Sequence, residues 1–531
     1  VTLTDRQPCR TISFNFLKDS LMLLFTRLLR SPALALCLST TAAQADLTAA
    51  DLWTEWRDYA SSTGYYISAR EVTDSDGLTL NNLSMRMDLE ETSGSSTVNI
   101  KMGTLRFIEN ADGSVSVALP TSSDIEVRIR EETGENVSFT IATTMTSPVF
   151  TATGDPGNVI YDFEAQSVNM DMLDLTFDGV TLGPELTAAN FSLQDLAYVT
   201  RSVRGGLRMI DQSGSASTAT YKINLTDPMS DETFKMDGQM RDITFEGGGA
   251  FPEGVDMQDI NAMLNAGFEF GGTFTTSGGA YDLTFRSDDG SGTINTTSEG
   301  TELETRFGSD GIAYSVSQVG VTINTLMTEL PLPLSFSADE ISTNFLLPVQ
   351  KSDSEQDFGL GFALTGLTVS DTIWGLFDPA VQLPRDPINL IFDLGGTAKL
   401  LFDFLDPDQG DILAETGAVP GELISLKLNA IEVKAAGAEL AGQGAFTFDN
   451  GDLITFDGMP RPKGAIDLTL VGGNGLLDTL IDMGLVPASE AMGMRMMMGL
   501  FAVPSEGEDT LGSRIEVNSE GHVLANGQRL R

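Results

Sequence analysis

Thiol and imidazole chemistry are nearly missing from this chain. It has two cysteines and one histidine in 531 residues. Both cysteines, Cys9 and Cys37, precede the expected leader cut described below, so the mature chain would hold no disulfide and no thiolate nucleophile. His522 alone cannot build a His-based triad, and no G-x-S-x-G elbow is present. Zinc sites made of several His and Cys ligands are excluded for the same reason. No Gly-rich loop ends in Gly-Lys-Ser/Thr, and no G-x-G-x-x-G follows a strand in a βαβ setting. Basic residues are few, 31 against 75 acidic ones. A net charge of −44 excludes a nucleic-acid partner, which needs a basic surface, and disfavours anionic membranes. No apolar run reaches the ~20 residues of a bilayer span, so the chain is not expected to be an integral membrane protein.

What is present begins with a leader. Met22 opens a segment with Arg27 and Arg30, a short apolar stretch from Pro32 to Thr41, and Ala43-Gln44-Ala45 as a small-x-small cleavage site. Asp46 is then the first mature residue, residues 1–45 are an upstream extension plus signal peptide, and Met22 is the expected start. The expected location is the periplasm. Leu34-Ala35-Leu36-Cys37 falls short of a lipobox because Leu36 is not small. After the cut, 26 basic residues face 73 acidic ones, a net charge of −47 dispersed as a solvated coat.

The mature chain opens on a helix capped by Thr48, with Leu52, Trp53, Trp56 and Tyr59 on one face as a core anchor. Strands follow. Leu83, Met85, Met87 and Leu89 alternate with polar residues, as do Val98, Ile100 and Met102, with a phase slip near Gly103 that signals a bulge. Ile125, Val127 and Ile129, then Val137, Phe139 and Ile141, repeat the pattern. Period two with one polar face predicts antiparallel sheet covered on one side. Ser75-Asp76-Gly77, Ala111-Asp112-Gly113 and Gly134-Glu135-Asn136 supply the turns.

The pattern restarts after Phe251-Pro252-Glu253-Gly254: a short helix capped by Asp256 and stopped by Gly267, then more strands. The expected fold is mainly β, with extended antiparallel sheets in two related halves, 46–250 and 251–531, and a few short helices. The sheets either close as a sandwich or curve around a groove. Residues 366–404 are apolar with prolines at 379, 384 and 387, which predicts loop or edge positions, packed on a core or lining a cavity. Near the C-terminus Asn474 caps one helix of a pair spanning 475–501, and Pro487 starts the other.

Candidate functional residues are few. Trp374, Met494, Met497 and Met498 form a candidate apolar ligand surface. The methionines suit a packed core helix, a Cu(I) ligand set, or adaptable greasy surface. Asp406-Pro407-Asp408 to Glu415 resembles a calcium loop but puts Asp411 where glycine is needed. No catalytic, cofactor-binding or metal residue is assigned, and no cofactor is expected. A carboxylate-based hydrolase stays as an unfavoured alternative.

The stretch GLTVSDTIWGLFDPAVQLPRDPINLIFDLGGTAKLLFDF, the later KGAIDLTLVGGNGLLDTLIDMGLV, the closing IEVNSEGHVLANGQRL and the opening DLTAADLWTEWRDYA resemble an alphaproteobacterial exported family, domain of unknown function 2125. The resemblance implies no activity and no functional residue. A looser, fold-level likeness exists to periplasmic proteins whose long curved sheets hold lipids on a greasy inner face. The expected function is therefore non-enzymatic: binding a lipid or other apolar molecule, or supporting the cell envelope. A structural or interaction protein without a small ligand is the alternative.

Overall fold

The computed structural model describes residues 47–531 apart from 92–93, 132–135, 228–229, 231, 256–258, 330–331, 407–408 and 410–418. The leader residues Ala43, Ala45 and Asp46, both cysteines, the 134–135 turn, the Asp256 cap and most of the calcium-like loop lie outside these described residues.

Helix α1 (Ala49–Ser62) opens the described chain. Thr48 caps it: its hydroxyl accepts from the Asp51 N–H, and Asp51 reaches back to the Thr48 N–H, a reciprocal pair that satisfies two orphan donors. Strands β1 (Tyr65–Asp74), β2 (Gly77–Glu91) and β3 (Gly94–Glu109) follow. Four shorter strands come next: β4 (Val115–Ala118), β5 (Ser122–Glu131), β6 (Asn136–Thr146) and β7 (Val149–Asp155). Long strands resume with β8 (Asn158–Phe177), its small return β9 (Val180–Thr181), β10 (Thr187–Val203), β11 (Leu207–Thr226) and β12 (Thr233–Pro252).

Helix α2 (Ile260–Asn265) interrupts them, capped by Asp259, whose carboxylate accepts from the Ala262 N–H. Four short strands then recur: β13 (Glu269–Thr276), β14 (Gly278–Ser287), β15 (Gly290–Ser298) and β16 (Gly300–Gly308). After β17 (Gly311–Met327), β18 (Leu334–Leu347) and β19 (Gln356–Val369) comes α3 (Asp371–Phe377). Strands β20 (Ile388–Leu400), β21 (Gly421–Ala435), β22 (Ala438–Asp449) and β23 (Arg461–Val471) lead to the helices α4 (Gly473–Asp482) and α5 (Ala488–Phe501). The chain ends with β24 (Val503–Pro504), β25 (Thr510–Val517), β26 (Val523–Ala525) and β27 (Gln528–Arg529).

All these strands belong to one antiparallel sheet. The protein is mainly β, and its strands are joined in one continuous hydrogen-bonded sheet. No break separates the two halves in the sheet: β12, which spans residue 250, pairs with β11 on one side and with β13 and β14 on the other.

The same arrangement of six strands occurs twice. The C-terminal end of β3 pairs with β4 and its N-terminal end with β5; β4 then pairs with β7, β5 with β6, and both β7 and β6 pair with β8. In the second copy β12 takes the part of β3, β13 to β16 take the parts of β4 to β7, and β17 takes the part of β8, with the same ends paired. Two half-length strand pairs thus lie end to end where two long strands would otherwise stand.

Two local expectations are corrected. The prolines in residues 366–404 do not keep the whole interval at an edge: they punctuate residues 378–387, and β20 beyond them pairs on both sides, with β19 and β21. Asn474 is not a cap either. Gly472 holds that position with φ +72°, and the distant Asp509 accepts from the Gly475 N–H at 2.9 Å.

Candidate functional site

Residues directly opposite in an antiparallel pair point to the same face. The register therefore traces one face across the whole sheet. One row runs Phe150, Phe163, Tyr198, Gly214, Phe245, Phe274, Leu303 and Val316, each opposite the next. It continues through Thr343, Phe362, Phe392, Ile431, Gly442, Leu468 and Ser513. At about 4.8 Å between strands, these fifteen positions span roughly 67 Å. A parallel row carries Tyr314, Phe345, Leu360, Leu394, Leu428, Gly444, Ile466 and Ile515. A third carries Ile341, Leu364, Leu390, Val433, Leu440, Leu470 and Leu511. The opposite face is polar, with Ser315 across from Asn344 and the Thr397 and Ser425 hydroxyls 2.8 Å apart.

Glycines within this apolar face are roofed by their neighbours. A Cβ at Gly214 would meet the Tyr198 ring, one at Gly396 the Phe358 ring, and one at Gly442 the Leu468 side chain. Large side chains lying over glycines level the surface instead of leaving pits.

The face has two fates. At the N-terminal end α1 lies on it. Leu52 and Trp53 join Leu80, Phe107, Val115 and Ala152 in one buried cluster, and Trp56 meets Phe107 edge-on at 5.1 Å. Phe107 is 0% exposed. From β17 to β25 none of the residues in the three rows is buried, and Leu360 and Phe362 stand 48% and 40% exposed.

Between these regions the face turns polar. Arg208, 1% exposed, pairs with Glu55 of α1, reaches Glu253 at 3.2 Å, and sits 5.5 Å over the Tyr59 ring. Arg204 pairs with Asp58 at 2.7 Å. Burial pushes the Tyr59 phenol up to about 12 and raises Tyr161 and Tyr198 as well. Gln212 Nε2 and Thr200 Oγ1, opposite each other in the register, are buried without a hydrogen-bond partner. This polar seam fastens the C-terminal half of α1 to the sheet.

At the other end one margin of the sheet is lined by α3, the 378–387 loop, the β21–β22 turn and the start of α4. A Cβ at Gly437 would meet Pro384, and one at Gly472 the Gly437 carbonyl. Trp374 is buried, packs on Phe377 at 5.1 Å, and lines a cavity of about 200 Å³ with Leu367, Val369, Arg385 and Ile388. Asp378 holds the loop: it accepts from the N–H groups of Gln382 and Leu383 at 2.9 and 3.0 Å, and these bonds keep its carboxyl below its usual range.

Met494, Met497 and Met498 sit on α5, not beside Trp374. The core-helix reading of this segment is corrected, since Ala491 is the sole buried residue of α5 and Met492 is 73% exposed. His522 lies in the terminal turn, with its Nδ1 3.2 Å from Glu520. Among the described residues no group of three or more His, Cys, Asp or Glu side chains is placed to hold a metal, and no helix is long and apolar enough to cross a membrane. Sequence reasoning missed Arg385, the Glu55–Arg208 pair and the floor residues Phe362 and Phe392. The alternation of β19 and β20 carried a signal for the last two.

Comparison with protein-family models, with curated proteins and with solved structures finds no match.

Proposed function

We propose that this is an exported, non-enzymatic periplasmic protein, of the family its sequence resembles, that holds a lipid or similar apolar molecule on the open part of its sheet. One observation carries the reading: three adjoining, largely apolar rows, two starting on β17 and one on β18 and all reaching β25, none of whose residues is buried. A contiguous apolar surface of this extent marks an interaction site in a soluble protein. Protein purified from its own envelope and sprayed intact in native mass spectrometry should carry bound lipid, released on organic extraction. A species at the bare chain mass, with no extractable lipid, overturns the reading.

A second reading, docking of a protein partner without a small ligand, is favoured by α5, where Met492 and Met496 face outward together. Envelope pull-downs from a strain carrying Met492→Lys and Met496→Lys test it: a partner lost in that strain supports protein docking.

A further inference from the structure

The cavity beneath α3 adds a polar end to the apolar floor. Leu367 and Ile388 stand opposite each other in the register and continue the third row, Leu364 across from Leu390, into the cavity wall. The far wall is polar. Arg385 lies 5.5 Å over the Trp374 ring, its Nη1 bonds Asp371, and its Nη2 donates to the Asp378 carbonyl at 3.4 Å. Its Nε–H is buried and has no acceptor among the described residues. A buried donor of this kind calls for an acceptor that the chain itself does not supply.

The charge around it restricts what that acceptor is. Among the described residues Arg385 is the one cation lining the cavity, Asp371 pairs with it, and Asp386 lines the same wall. A carboxylate or an anionic phosphate would meet surplus negative charge in a chain already at −44. An ester or amide carbonyl accepts hydrogen bonds without adding charge. A chain about 20 Å long leaving the cavity would cross roughly four strand spacings of the floor.

We propose that this cavity is the head-group pocket of the floor, and that it takes the uncharged carbonyl linkage of an acyl ester or amide, such as an acylglycerol, in preference to a free fatty acid. The proposal rests on the apolar-ligand reading and names its ligand class.

Trp374 reports on it directly. A monoacylglycerol brominated along its chain should quench wild-type fluorescence, and Trp374→Phe should remove that quenching, since Trp53 and Trp56 lie at the covered end of the sheet. The matching brominated fatty acid at pH 8 should bind at least tenfold more weakly. Arg385→Met, with its circular dichroism unchanged, should weaken the ester tenfold and leave the fatty acid still disfavoured, since Asp371 then stands uncompensated. Arg385→Lys, which keeps the charge but loses the Nε–H, should weaken the ester a few-fold, and it serves alone if Arg385→Met misfolds.

Equal affinity for acid and ester, or ester binding indifferent to both variants, overturns the pocket. The floor is tested separately by calorimetry on Leu394→Asp. Ester binding lost there but insensitive at Trp374 leaves the floor standing and removes the pocket. No binding of either probe to the wild type removes both.

Discussion

The two ends of this sheet carry the same kind of face and treat it in opposite ways. At the N-terminal end Phe107, Leu80 and Val115 are sealed under α1. From β17 onward Phe362, Leu360 and Val433 stand exposed on an equally apolar face. The difference does not lie in the strands, which alternate alike. It lies in one amphipathic helix, held in place by the Thr48–Asp51 cap, the Ala49 N–H bond to Glu109 at 2.8 Å, and the Glu55–Arg208 pair. Where a cover is supplied, the face becomes core. Where it is not, the same face stays exposed.

The sharpest break of that comparison is a matched pair of truncations. Phe107→Ala should cost about 3–5 kcal/mol, and Phe362→Ala about 1 kcal/mol, because only the first leaves a cavity in a closed core. Urea unfolding followed by circular dichroism reads both, and equal losses would mean that the C-terminal face is covered in solution. Glu55→Gln should cost about 3 kcal/mol in the same assay, since Arg208 is left buried with Glu253 as its remaining carboxylate. A loss below 1 kcal/mol would show that the polar seam does not hold α1 down.

Alkaline titration tests the covered end by a different route. Tyr59, Tyr65, Tyr161, Tyr198 and Tyr221 all have phenols raised by burial above the ordinary 10.0. A raised folded value favours the neutral form, so this contribution to stability is complete below pH 10. For Tyr59 it is lost as pH rises through about 12. Phenolate absorbance should show those five of the eight tyrosines lagging behind the unfolded chain. All eight ionising together near pH 10 would contradict their burial. The smallest effect belongs to the outer face of α5, where Met492→Lys should change stability by less than about 0.5 kcal/mol.

Much of the fold was legible. Period-two alternation announced the antiparallel strands, Gly103 announced the slip between β2 and β3, where it faces Leu83 at φ +85°, and Asn526-Gly527 announced the last hairpin. The repeat of helix followed by strands put a boundary near residue 250, whereas the six-strand arrangement that recurs runs from β3 to β8 and from β12 to β17, with α2 inside the second copy. Less could be read of the site. Alternation gives each strand a face but not its neighbour, and bulges such as those between Leu364 and Leu367 or Leu428 and Ile431 shift the phase within a strand. Rows through fifteen strands need the register. Arg385 reaches Trp374 only because the prolines around residues 379–387 fold that loop back, and Asp509 serves α4 from 34 residues away. Proximity of that kind leaves no periodic trace.

The doubled six-strand arrangement also bears on size. Each copy occupies four strand positions, about 19 Å of sheet, and pairs with its neighbours through its two outer strands. Adding or removing a whole copy would change the sheet by four strand positions and take with it the core cluster that the copy carries. Reach, in such an architecture, is a quantity that duplication can set.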